Sequence, residues 1–216
     1  LKKMAFGGLY DVVGGGFARY SVDAFWKIPH FEKMLYDNGQ LLSVYAQAYQ
    51  LTKRPLYKSV IEKTVDWMIA EMTDSSGGLY ASLDADSERM EGKYYCWTYA
   101  ELQHILREDF SFFCDVYHIE EKGNFEHGLN VLFRTEDHEY FMDKYNIDNA
   151  AFQQKLTGIH QVLLEERKKK IRPATDDKIL TEWNAIAIKG LCDAYKALGD
   201  IRYLQKAETV GNFILQ

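Results

Sequence analysis

The chain has 216 residues, 47% of them hydrophobic and 14% aromatic, which is enough apolar mass to bury a sizeable core. A formal net charge of −6 and an isoelectric point near 5.6 give no electrostatic basis for nucleic-acid binding. No run approaches the roughly 18 apolar residues of a membrane span, and no signal peptide opens the chain. Cys96, Cys114 and Cys192 are far apart and form no C-x-x-C, so a reduced, cytoplasmic protein with neither metal nor cofactor is expected.

In chain order, Tyr10-Asp11 leads into Gly14-Gly15-Gly16, where the backbone can turn tightly or approach a ligand. The run lacks the G-x-x-x-x-G-K-[ST] pattern of a phosphate loop. Arg19, Tyr20 and Trp26 follow, and the stretch KIPHFEKMLYDN then sets His30, Glu32 and Asp37 among bulky apolar side chains. These polar groups serve either as a helix start or as the lining of a cavity. From Asn38 to Met72 two helices are predicted, marked by Leu41, Leu42, Tyr45, Ala48 and Tyr49 and then by Val60, Ile61, Val65, Met68 and Ile69. TKRP breaks them, with Pro55 suited to the first turn of the second.

GGLYASLDADSERMEGKYYCW reads next as a β-hairpin, with Leu79-Tyr80 and the stretch from Lys93 to Trp97 as its arms. Its acidic tip carries Asp84, Asp86, Glu88 and Glu91, but lacks the glycine and closing glutamate of a calcium loop. Thr98 and Glu101 form a capping box for the following helix. A further helix near 109–119, a strand-like GNFEHGLNVLF and a long helix come next. The basic run from Arg167 to Lys170 ends that long helix, where it complements the helix dipole. ATDDKILTEWN then presents Asp176, Asp177, Lys178, Glu182, Trp183 and Asn184 ahead of a second helix pair.

The two pairs are copies. AYQLTKRPLY (48–57) aligns with AYKALGDIRY (194–203) at a constant offset of 146, which lays Trp183-Asn184 over Asp37-Asn38. One helical hairpin cannot bury its own apolar face, so repeated hairpins imply stacking. The fold class is all-α with small β excursions.

Acids and rings in loops before repeated helices suit chemistry on sugars. An inverting glycosidase needs two carboxyl groups about 6.5–9.5 Å apart. An epimerase needs a base for a proton next to a carbonyl. Glu32, Asp86, Asp177 and His30 are the catalytic candidates. Arg19, Tyr20, Asp37, Asp84, Lys178 and Asn184 are candidate substrate-binding groups, with Trp26, Trp97 and Trp183 as platforms for a ring.

Four segments, GGLYDVVGGGFARYSVDAFWKIPHFEKMLYDN, SLDADSERMEGKYYCWTYAEL, GNFEHGLNVL and DDKILTEWNAIAIKGL, resemble in order the helical part of the spermatogenesis-associated protein 20 family, also described as thioredoxin-domain-containing proteins. The resemblance implies an N-terminal thioredoxin-like domain, absent here, followed by a helical toroid similar to six-hairpin glycosidases and N-acylglucosamine 2-epimerases. This chain would then be one helical domain over 1–216 and part of a larger (α/α) barrel, with exposed apolar faces that favour oligomers. Val12, Val13, Ala18 and Glu182 depart from the family pattern. Three readings follow. A hydrolase or epimerase predicts converging carboxylates, at least one with a raised pKa. A non-catalytic sugar-binding or scaffold domain predicts acids tied up by Arg19, Lys33 or Lys178. A redox assembly would leave the chemistry to the thioredoxin-like domain.

Overall fold

The computed structural model describes residues 1–216. A short helix α1 (Lys2–Phe6) precedes the ribbon β1 (Tyr20–Ser21) and β2 (Pro29–His30). Strand β3 (Lys33–Met34) runs directly into α2 (Leu35–Thr52), and α3 (Pro55–Glu71) returns. Then come β4 (Ser82–Leu83), β5 (Asp86–Ser87), β6 (Met90–Glu91), β7 (Trp97–Thr98), α4 (Tyr99–Leu106) and α5 (Phe110–Tyr117). Strand β8 (Leu129–Asn130), α6 (His138–Tyr145), α7 (Asn149–Arg167) and β9 (Thr175–Asp176) precede the closing pair α8 (Thr181–Leu198) and α9 (Ile201–Ile214).

The repeat read from the sequence is present in three dimensions. Helices α2 and α8 both have 18 residues, and both first residues and both last residues fall 146 positions apart. Each helix is followed at the same place by a left-handed residue, Lys53 (φ 54°) and Gly199 (φ 74°), the first of a two-residue break. The conserved geometry continues inside: Asn38 and Asn184 are fully buried and do the same work. The Asn38 Oδ1 accepts the Phe17 N–H at 2.7 Å while its Nδ2 donates to the Phe17 and Met34 carbonyls. The Asn184 Oδ1 accepts the Leu79 N–H at 2.8 Å while its Nδ2 donates to the Leu79 and Leu180 carbonyls. Each amide therefore clamps a preceding loop to the first turn of its helix. Asn184 is satisfied within the protein, which corrects its assignment to substrate.

Helices α2 and α8 lie side by side and parallel, with Gly39 against Ala187 and Ser43 beside Lys189. Their backbones touch through glycine: a Cβ at Gly190 would stand 2.5 Å from the Gly39 carbonyl oxygen. Because two backbones cannot yield as a side chain can, Gly190→Ala is expected to cost about 1–3 kcal/mol in urea unfolding. Parallel inner helices, each backed by its own return helix, are the repeating geometry of an (α/α) toroid. The three-stranded sheet β3–β4–β9 ties the two inner helices together at their N-termini, pairing Met34 with Ser82 and Ser82 with Asp176.

The long hairpin expected over residues 79–97 does not form. Leu79 bridges to Thr73, β4 joins that three-stranded sheet, and only β5 and β6 make a hairpin, turned by Glu88 and Arg89 at positive φ. Strand β7 pairs instead with β8. The Thr98–Glu101 capping box is present as read.

One cluster of 40 buried residues runs from α1 to α9 and forms the core. Set within it is an ionic triad. The Asp11 Oδ2 accepts from the Lys33 Nζ at 2.8 Å and from the Arg167 Nη1 at 2.7 Å, and all three side chains are buried. The Lys33 ammonium also donates to the Gly15 carbonyl and lies 4.7 Å from the Tyr95 ring centre. Arg167 thus turns into the core, apart from the rest of the basic run that was read as complementing the dipole of its helix end. Lys168 and Lys169 do remain exposed, paired with Glu165 and Glu166. The glycine run serves packing rather than a ligand: a Cβ on Gly15 would meet the Lys63 carbonyl, and one on Gly16 the Trp67 ring. No helix is long and apolar enough to cross a membrane.

Candidate functional site: a polar mouth at the starts of α2 and α8

The ribbon β1–β2 carries Arg19 and the register pair Tyr20–His30 to the start of α2. The Tyr20 and His30 rings stack at 5.0 Å. The His30 Nδ1 lies 2.7 Å from the Glu91 Oε1, which also accepts the Phe31 N–H. Since a carboxylate can only accept, Nδ1 carries the proton, and in neutral His30 the lone pair is on Nε2. That Nε2 lies 3.7 Å from the Glu32 Oε2, and Arg19 donates to the same oxygen at 2.9 Å. Asp86 sits across from Glu91 on the β5–β6 hairpin, so the two carboxylates share a face.

Asp37, in the first turn of α2, completes this side. Its Oδ2 is buried with no hydrogen-bond partner. Burial lifts its pKa from 3.8 to about 6, opposed by the Arg19 charge and reinforced by Glu32. From the other repeat comes Trp183, half-buried, whose ring meets Tyr36 edge-on at 4.8 Å. Tyr36 was not singled out in the sequence. Its position before Asp37, matching Glu182 in the second repeat, was the available signal.

Other candidates fall elsewhere. Trp97 is only 1% exposed and is covered by the Lys170 ammonium at 3.7 Å, so its assignment as a ring platform is corrected: a ligand cannot reach it. Trp26 packs against the main core, and its carbonyl accepts the Gly8 N–H. Asp84 is exposed and accepts the Asp86 N–H within its own turn. Asp177 is exposed, and Lys178 is paired with Asp176 at 2.8 Å. Glu32 is held by Arg19, so it is not a free carboxylate of the kind a hydrolase needs. No three His, Cys, Asp or Glu side chains converge as metal ligands.

Repeated hairpins, parallel inner helices and a polar mouth framed by their N-termini define a segment of an (α/α)-toroid protein. No protein-family model matches the chain. Curated relatives include an uncharacterized protein of Caenorhabditis elegans and the spermatogenesis-associated protein 20 of Mus musculus and of Homo sapiens. Each is 34% identical over 239 aligned residues covering 99% of this chain. The chain is thus a homologue, over its full length, of spermatogenesis-associated protein 20, and it spans about a third of the length of these relatives, 33% of the first and 30% of the other two. Solved structures with a similar course include a D-mannose isomerase (TM-score 0.34, 16% identity, 100% of this chain and 49% of that one). Another is a cellobiose 2-epimerase from Spirochaeta thermophila (TM-score 0.33, 14% identity, 94% and 47%).

Proposed function

We propose that the mouth between α2 and α8 binds a sugar and moves a proton on it, as an isomerase or epimerase does. The observation that carries this reading is Asp37, a carboxyl group with a buried, unbonded oxygen and a pKa lifted to about 6. A group poised near neutrality can give or take a proton at working pH. His30, its tautomer set by Glu91, offers Nε2 as base for a hydrogen on the carbon next to a carbonyl. Asp37, where protonated, gives its proton to the carbonyl oxygen and recovers it as the bond re-forms. Arg19 and Glu32 orient hydroxyl groups, and Tyr20, Tyr36 and Trp183 supply apolar ring faces.

The second reading, sugar binding without chemistry, is favoured by the Arg19–Glu32 ion pair, which ties up a carboxylate of the mouth. A thioredoxin-like domain elsewhere in the full-length protein would be the partner of either version.

The intact protein in D2O should wash deuterium into C2 of at least one member of a panel of aldoses and N-acetylhexosamines, followed by NMR. His30→Gln and Asp37→Asn should each slow that exchange about 100-fold or more. If no sugar exchanges but tryptophan fluorescence still titrates with one, the mouth is a binding site only. If neither signal responds, the sugar reading fails.

A further inference from the structure

A second cavity, of about 70 Å3, lies between α3, α6, α7 and the loop after α1, beyond the end of the α2–α3 hairpin that is remote from the mouth. It has room for more than one water. Six of its lining residues carry polar side chains that matter here: Tyr10, Lys63, Tyr117, Arg134, His138 and His160. No carboxylate lines it.

Arg134 is 8% exposed, yet its Nε and Nη1 are buried with no acceptor. Only the Phe6 ring, 4.3 Å from the guanidinium carbon, and more distantly Tyr117 face this charge. Asp137, whose charge reaches it from outside the cavity, is itself paired with Lys2. Tyr10 is 5% exposed, and its hydroxyl too is buried without a partner.

The remaining protons can be followed by elimination. The Lys63 Nζ donates to the Val12 carbonyl at 2.6 Å and lies 3.0 Å from the His160 Nδ1; an ammonium has no lone pair, so Nδ1 accepts, and one Lys63 N–H is left for the cavity. The His160 Nε2 must then carry the hydrogen and donate it to the Tyr117 oxygen at 2.8 Å. That leaves the Tyr117 O–H without an acceptor in this network. On the far wall the Gln153 amide nitrogen donates to the His138 Nδ1 at 2.7 Å, which puts the His138 hydrogen on Nε2. Burial holds both histidines neutral, His138 at a pKa of about 4 and His160 lower than usual, and lowers Lys63 to about 8. Two cations and several unused O–H and N–H groups therefore face one space that supplies no anion of its own. The first turns of α3 (Pro55, Leu56) and α6 (His138), both helix N-termini, line the same space and add to its positive potential.

We infer that this cavity is a binding site for a compact oxyanion, a phosphate or a small carboxylate, held by Arg134 and Lys63 and hydrogen-bonded by Tyr10 and Tyr117. The site is distinct from the sugar mouth and does not depend on it. A bound oxyanion supplies acceptors to the unpartnered donors of Arg134, Tyr10 and Tyr117, and it removes the cost of an unpaired buried guanidinium.

The test is thermal melting of the intact protein with inorganic phosphate, with acetate, and with sodium chloride at matched ionic strength, backed by 31P linewidths. One of the two oxyanions should raise the melting temperature beyond chloride in a saturable way, and which one does so tells phosphate from carboxylate. Arg134→Gln should weaken that binding about tenfold or more, since a hydrogen-bonded charge is lost. Tyr10→Phe, which leaves the packing intact, should weaken it by a smaller factor and guards against misfolding of the first variant. Equal shifts with all three salts, or a phosphate or acetate shift that survives Arg134→Gln and Tyr10→Phe unchanged, would overturn the assignment.

Discussion

Asp11→Ala is expected to be the most damaging single change outside the hydrophobic core, costing about 3–5 kcal/mol. The side chain binds two buried cations, Lys33 and Arg167, and removing it leaves both charges out of water without their counter-ion. Its other oxygen accepts the Val13 and Gly14 N–H groups at 3.1 Å, so the glycine run that packs on α3 would loosen as well. Burial alone would raise the Asp11 pKa, but Arg167 and Lys33 hold it far below the usual carboxylate range. A carboxyl depressed in the folded state contributes stability that is complete above its unfolded pKa near 4 and is lost as pH falls below that. Wild type should therefore lose stability steeply below pH ~4, and Asp11→Ala should lose less there because it has already forfeited the triad. Urea midpoints from pH 2.5 to 7 check both statements. Adding Lys33→Met and Arg167→Leu to Asp11→Ala should restore much of the loss, since the remaining penalty is that of unpaired charge. If the triple variant is no better than the single one, the charges are not the cause.

Asp37→Asn is expected to act in the opposite direction on stability while, on the proposed reading, slowing sugar exchange. The folded-state pKa of about 6 stands above 3.8, so the folded protein holds this proton more tightly than the unfolded chain does. Between about pH 4 and pH 6 stability accordingly falls as pH rises, and above pH 6 the full cost of a desolvated carboxylate remains. Taken at face value the difference is worth ~3 kcal/mol; for a half-exposed group we discount it to about 1–2 kcal/mol. Asparagine carries no such charge, so the variant should melt higher than wild type at pH 8 and match it near pH 4. A variant that is both more stable and inactive is the signature of a group kept for chemistry. One that is destabilised at pH 8 would show that Asp37 is structural.

Much of this frame was legible in the residues because its signals are local or periodic. The 146-residue offset between AYQLTKRPLY and AYKALGDIRY located α2, α3, α8 and α9, including their breaks. Thr98 and Glu101 declared a capping box three residues apart. The features that escaped join distant parts of the chain. Ser82 pairs with Asp176, and Asp11 meets Arg167 across 156 positions, so no window of sequence contains both partners. Trp97 carried no mark of burial, since an indole at the end of a hairpin arm reads alike whether it faces solvent or core. Asn184 misled for a related reason: a polar residue at a helix start suggests a ligand unless its twin, Asn38, is also examined for what it holds. Glu91 was noticed among the acids, but its bond to His30 spans 61 positions.

The twin asparagine clamps separate two jobs that are often tangled in a binding surface. Each clamp fixes the helix start to its loop through backbone groups alone, so the frame does not depend on which side chain stands just before the asparagine. That preceding position is Asp37 in one repeat and Trp183 in the other, a carboxyl group in one and a flat ring in the other. The repeats thus behave as interchangeable sockets, in which a new side chain can be fitted at the mouth of one unit while the scaffold and the neighbouring unit stay as they were.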